Sequence, residues 1–168
     1  VSTTEGIYEL DLDNLEITKK VLSTENSNTQ FGNMVRFGDY VLATEYGKNL
    51  FVINCADNTV VKTLPCTAAS VVMAKDGSLW VSTEEGISRF NAETLDLEPL
   101  TLGEGIELPV LSSGAWNPDC FCASLQSNVI YWASSKDWSI NKVFKYDIDK
   151  QEASLFIDYT TDADGRAL

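Results

Sequence analysis

"LFVINCADNTVVKTL", residues 50–64, decides the architecture of this chain. An apolar run from Leu50 to Ile53 ends on Asn54, a polar stretch follows, and a second β-branched run starts at Val60. β-branched and aromatic residues favour strand on both sides of the break. An Asx side chain at the end of the first run accepts a hydrogen bond from the backbone two residues on, which starts a turn. The stretch reads as a β-hairpin.

Three further segments align with it on the residue before the turn: "GIYELDLDNLEITKKVL" (6–22), "EGISRFNAETLDLEPL" (85–100) and "NKVFKYDIDKQEASLFI" (141–157). Asp11, Asn54, Asn91 and Asp147 coincide, at spacings of 43, 37 and 56 residues. A period near ~40 that holds several strands and no helical pattern is what a β-propeller blade produces. The segments between the hairpins supply two more strands per blade. "DYVLATEY", "DGSLWVSTE" and "SNVIYWASS" superpose with Thr44, Thr83 and Ser134 matched and read as second strands. "GNMVRF", "ASVVMA" and "LSSGAW" precede them and are rich in small residues, as suits innermost strands where blades converge.

The expectation is therefore an all-β chain: a β-propeller of four-stranded antiparallel blades, present as an incomplete ring of about three and a half blades. An outer hairpin spans 6–22, blades span about 29–64, 69–102 and 110–158, and 160–168 starts a further blade. A β-sandwich also uses short strands and frequent turns, but it does not require one hairpin at a fixed period. With no basic cluster longer than Lys19-Lys20, a net charge of −13 repels phosphate backbones and excludes nucleic acid as a partner. Apolar runs such as Phe51 to Ile53 fall far below the ~20 residues that span a bilayer. The chain opens at Val1 with no charged-then-apolar leader and reads as a processed or excised piece of something longer.

The sequence contains no His, which removes Ser-His-Asp and Cys-His catalysis and every His-ligated metal. Cys55, Cys66, Cys120 and Cys122 fit neither a metal knuckle nor a disulfide framework and are expected as buried free thiols. Asp11 with Asp13, and Asp147 with Asp149, have the chemistry of an acid and a base, but both pairs lie in hairpin turns where Asp is favoured for local backbone bonding. "TTDADG" (160–165) is the first half of a calcium loop without its third carboxylate and closing Glu, which leaves Ca2+ weakly supported. No catalytic or metal-ligating residue is assigned.

"LFVINCADNTVVKTL" resembles the repeat of bacterial YVTN-type propellers, and the whole chain, including "AWNPDCFCAS" and "VFKYDID", resembles an uncharacterised Bacteroidetes family of secreted lipoprotein propellers. "DGSLWVSTEEGISRFNAET" (76–94) is similar to the blade repeat of regulator propellers in sensor histidine-kinase systems. These resemblances imply an extracytoplasmic location, in the periplasm or on the bacterial surface, and no catalytic residues. Within one blade they cast Trp80 as the filler between neighbouring sheets and Asp76-Gly77 as a tight turn.

A ring that stops after three and a half blades leaves apolar sheet faces larger than a monomer tolerates. The partners expected are the remaining blades, from the native chain or from a second copy. In propellers, the loops from second to third strand and from fourth strand to the next blade open on one face, where ligands bind. That face holds Ser23 to Gln30, Glu45 to Gly47, Glu84-Glu85, Gly103 to Glu107 and Ser135 to Asn141. Tyr46 and Trp138 are loop aromatics suited to stacking on a sugar ring, with Glu45, Glu84 and Asp137 as hydrogen-bond acceptors, unless the aromatics pack on adjacent blade edges. Trp116 and Arg36 lie at or near inner strands, where they point into the channel or where Arg36 pairs with a neighbouring blade's carboxylate. The function expected is a binding module for glycan or protein. The alternatives are a propeller enzyme of the lactonase or quinoprotein-like type, with channel carboxylates holding Ca2+ or a cofactor, and the ligand-sensing ectodomain of a two-component sensor.

Overall fold

The structure is a computed structural model, and it describes all residues except 4, 24–30, 46–47, 67, 84, 109–120, 137–138 and 160–168. The described residues form fifteen β-strands and no helix. All strand pairs are antiparallel, and every sheet is made of consecutive strands. A Greek-key sandwich would pass strands between sheets, and none passes here.

Two compact units divide the chain, Val1–Ala68 and Ala69–Leu168. The first unit holds a three-stranded sheet of β1 (Ser2–Thr3), β2 (Gly6–Leu10) and β3 (Ile17–Ser23), and a four-stranded sheet of β4 (Phe31–Phe37), β5 (Tyr40–Glu45), β6 (Asn49–Asn54) and β7 (Val60–Pro65). The second holds two four-stranded sheets: β8 (Ala68–Met73), β9 (Leu79–Thr83), β10 (Gly86–Asn91) and β11 (Asp96–Pro99), then β12 (Phe121–Ala123), β13 (Val129–Lys136), β14 (Ser139–Asp147) and β15 (Glu152–Asp158).

The four aligned hairpins close as their anchors dictate. The side-chain oxygen of Asp11 accepts from the Asp13 amide at 2.8 Å, that of Asn54 from Ala56 at 2.8 Å, and that of Asn91 from Glu93 at 2.9 Å. At the fourth hairpin the Asp147 carboxylate accepts from the Lys150 amide at 3.1 Å. The fourth residue after each anchor then turns left-handed: Leu15, Asn58, Leu95 and Gln151 have φ of 60°, 59°, 58° and 56°. A four-residue loop that ends in this conformation returns the chain into the second strand with the twist the ladder needs.

Burial follows strand position. β6 and β9 are buried on both faces, which explains why Leu50 to Ile53 and Leu79 to Val81 read as continuous apolar runs. Strands β3 and β7 lie at sheet edges, and β7 alternates between half-buried and exposed residues. In the first unit Ile7 packs on Ala43, Phe51 and Ile53, which joins the two sheets face to face. In the second unit Ala74, Trp80 and Ile87 meet Phe121, Ile130, Trp132, Phe144 and Tyr146. Trp80 lies between those sheets as expected, 4% exposed and 5.6 Å from the Tyr146 ring, and its indole N–H donates to the Ser78 hydroxyl at 2.8 Å. Ser78 in turn donates to Asp76 at 2.6 Å, which locks the Asp76-Gly77 turn onto the tryptophan.

Two expectations are corrected or displaced. Cys55, Cys66 and Cys122 form no disulfide among the described residues, but they are not buried: the first two are half-buried and Cys122 is exposed. Side chains alternate along a strand, so burying Phe121 against Trp132 turns its neighbour Cys122 to the other side of an edge strand. The strand that pairs with β13 is Phe121–Ala123, joined by the tight Ser124–Asn128 turn. "LSSGAW" (111–116) and Cys120 lie outside the described residues.

Candidate functional site

Tyr46, Glu84, Trp116, Asp137 and Trp138 all lie outside the described residues. Their places in the chain are nevertheless bounded: Tyr46 falls between β5 and β6, Glu84 between β9 and β10, and Asp137-Trp138 between β13 and β14. All three connections join the second to the third strand of a four-stranded sheet. "TTDADG" is outside the described residues as well. Among the described residues no group of three or more Cys, Asp and Glu is arranged to hold a metal.

Two flanking acids of that expected face are described. Glu45 is buried, accepting from Asn49 at 2.7 Å and pairing with Lys48 at 3.3 Å. Its carboxylate therefore closes the β5–β6 connection. Glu107, on the segment that follows β11, accepts from the Ser134 hydroxyl at 2.6 Å and pairs with Lys142 of β14, while its backbone carbonyl accepts the Trp132 indole N–H at 2.9 Å. The bonds from Lys142 and Ser134 hold the Glu107 carboxyl below the usual carboxylate range, and Glu107 in turn raises Lys142 above the usual ammonium value. These contacts tie residues 100–108 to the β13–β14 ribbon.

Arg36 is the described member of the candidate set. It is exposed on β4, its Nε donates to the Gly38 carbonyl at 3.3 Å, and its side chain lines a cavity of about 330 Å³ in the first unit. The cavity lies between the two sheets of that unit. Its floor is apolar, with Ile7 of β2, Met34 of β4 and Ile53 of β6. Arg36, Glu9 and Asn58 form the polar wall, and the Asn58 amide donates to the Glu9 carboxylate at 2.8 Å. The volume falls at the lower end of the range for ligand pockets. Glu9, Asn58 and Met34 were not candidates on sequence. A second internal repeat, "VSTTEGI" at 1–7 against "VSTEEGI" at 81–87, sets Glu9 in register with Arg89, and no sequence pattern marks Asn58 or Met34.

With the geometry established, likeness to solved structures fixes the fold. The chain is similar to the RRP9 WD40 repeats, with a TM-score of 0.55 at 8% identity over 79% of this chain and 40% of that one. It is similar to the extracellular domain of a putative one component system from B. thetaiotaomicron, with a TM-score of 0.62 at 15% identity over 97% of this chain and 22% of that one. It is also similar to the dihydro-heme d1 dehydrogenase NirN, with a TM-score of 0.62 at 15% identity over 94% of this chain and 33% of that one. WD40 repeats are propeller blades. Four consecutive antiparallel meanders with this likeness make the chain a β-propeller-type module, and it spans well under half the length of these structures. No curated protein matches it in sequence. A family model matches residues 1–167, so the chain belongs to the family described as Domain of unknown function (DUF5074).

Proposed function

We propose that the chain is part of an extracytoplasmic β-propeller that binds a glycan or a protein and is completed by further blades. The observation that carries this reading is the likeness over nearly the whole chain to an extracellular propeller-type domain of a bacterial one component system. A propeller rigidly supports the loops at its strand ends, and those loops vary freely without disturbing the core. Here the connections from second to third strand carry Tyr46, Glu84, Asp137 and Trp138, a set of ring faces and acceptors that suits a sugar. Completion by further blades is supported by the face of the last sheet that points away from Trp132. Tyr131 and Phe156 meet there edge to face at 5.1 Å with Lys145 over the Phe156 ring, and Phe156 is 50% exposed. Such a face is what a neighbouring blade covers.

Binding of the full chain to an array of bacterial and host glycans, together with capture from the native cell envelope, tests the ligand. The expected result is a retained glycan or protein whose affinity falls by about tenfold or more in Trp138→Ala or Tyr46→Ala. Empty results from both experiments, or binding indifferent to both substitutions, would remove this reading.

A further inference from the structure

The outer strand of a blade stays an edge however many blades follow it, because blades stack face to face. Among the described residues, three of the four outer strands carry the protections that edge strands usually carry. Strand β3 places Lys19 and Lys20 near its centre, β7 carries Lys62 and ends at Pro65, and β11 is four residues long with Glu98 and Pro99. Strand β15 differs. Ala153 to Ile157 holds no charge and no proline, and Glu152–Leu155 keeps an unbroken register with Phe144–Asp147 before the shift at Phe156.

The ladder fixes which groups face outward. The Ile148 N–H donates to the Asn128 carbonyl on the β13 side. Bonding alternates along a strand, so Tyr146 and Phe144 also turn their amides to β13, and Lys145 turns its amide to Ser154. The N–H and C=O groups of Ala153 and Leu155 therefore point away from β14. Leu155 lies opposite Phe144, and directly opposite residues project to one face. Phe144 is 1% exposed in the core shared with the β8–β11 sheet, whereas Leu155 is 46% exposed. The apolar side chain beside this edge thus stands on the face turned to the preceding sheet, not on the face that a following sheet covers.

We propose that β15 is an interaction edge that accepts an extended strand from a different polypeptide, apolar beside Ala153 and Leu155 and basic beside Glu152. Main-chain bonds to the outward groups supply affinity, and alternate side chains supply selectivity. Charge argues for the basic end. Glu152 is exposed opposite Asp147, with Asp149 in the same hairpin tip, and Lys150 there pairs with Asp147 at 2.7 Å. A positive side chain aligned with Glu152 gains from that acidic surrounding. A second copy suits the edge poorly. Two chains of net charge −13 repel, and antiparallel pairing centred on Leu155 sets Glu152 opposite Asp158.

This edge is separate from the loops of the proposed ligand face, so an empty glycan array leaves it standing. The test adds an end-blocked pentapeptide, Thr-Val-Thr-Val-Lys, to the full chain and follows amide exchange by NMR. In antiparallel register its valines lie beside Leu155 and Ala153 and its lysine beside Glu152. Peptide at about 5 mM, against a dissociation constant of ~1 mM for so short a strand, is expected to slow exchange at Ala153 and Leu155 about fivefold. The same peptide ending in Glu is expected to slow it less than about twofold, as is the Lys-ended peptide on Leu155→Lys. Unchanged exchange at both amides, equal slowing by the two peptides, or slowing that persists in a folded Leu155→Lys chain would overturn the proposal. So would a sedimenting dimer that forms without peptide and is abolished by Leu155→Lys, because it assigns the edge to a second copy.

Discussion

Leu15 and Leu95 hold a backbone conformation that a branched side chain resists. Their φ of 60° and 58° place Cβ close to the following carbonyl, at a cost of roughly 1–2 kcal/mol per residue. Asn58 occupies the same loop position with a side chain that tolerates it, and also reaches across to Glu9. Leu15 is 71% exposed, so replacing it sacrifices little packing. Leu15→Asn is expected to stabilise the protein by about 0.5–1 kcal/mol, read as a rise of ~1–4 °C in melting temperature. Leu95→Asn should gain less, because Leu95 is half-buried and its contacts offset the relief of strain. A fall in melting temperature for Leu15→Asn would mean that the loop is not strained there. The Asx anchors Asp11, Asn54, Asn91 and Asp147 were legible in the sequence because their side-chain chemistry starts the turn. The left-handed position four residues on was not, since Leu, Leu and Gln carry no propensity for it and the ladder imposes it.

Single elements are held to each other by polar ties whose pH dependence has a definite sign. Glu107 bridges the segment after β11 to Ser134 and Lys142, and its carboxyl is held below the ordinary 4.5 by those bonds. A depressed carboxylate stabilises the fold fully above its unfolded pKa and loses that contribution as pH falls through the lower folded value. Lys142, raised above 10.5 by Glu107, contributes fully below that value and loses it as pH rises through the raised one. The gap in melting temperature between the parent and Glu107→Gln is therefore expected to be constant from about pH 5.5 to 9.5 and to close toward pH ~3. It should not exceed a few degrees, because the two side chains are 46% and 29% exposed and water screens the pair. A gap that widens on acidification, in melts followed from pH 3 to 9, would show that Glu107 is not held as a carboxylate. Elements were legible where a strand ends on an Asx turn, as at β6–β7 or β14–β15. The first strand of the last sheet, Phe121–Ala123, was not, because three residues carry too little period to outweigh a small-residue stretch nearby.

The whole molecule reads as a propeller from its sequence because the hairpin repeats, while the cavity beside Glu9 does not, because it arises where two sheets face one another and no local pattern records it. Net charge acts at this largest scale. The folded chain exposes 10047 Å², so an excess of 13 negative charges places neighbours about 28 Å apart. That separation lies inside the ~30 Å Debye length of 10 mM salt and well outside the ~8 Å length at 150 mM. Self-repulsion therefore penalises the compact state at low salt and is largely screened at physiological salt. Screening also weakens attraction, but the ion pairs among the described residues, such as Lys48–Glu45 and Lys150–Asp147, are individually small surface or turn contacts. The repulsive term is the larger one. Raising NaCl from ~10 to ~150 mM is expected to increase the melting temperature by a few degrees, and most of the gain should be complete by the upper concentration. A melting temperature that falls over this interval would mean that specific ion pairing, and not excess negative charge, dominates the electrostatics of the folded chain.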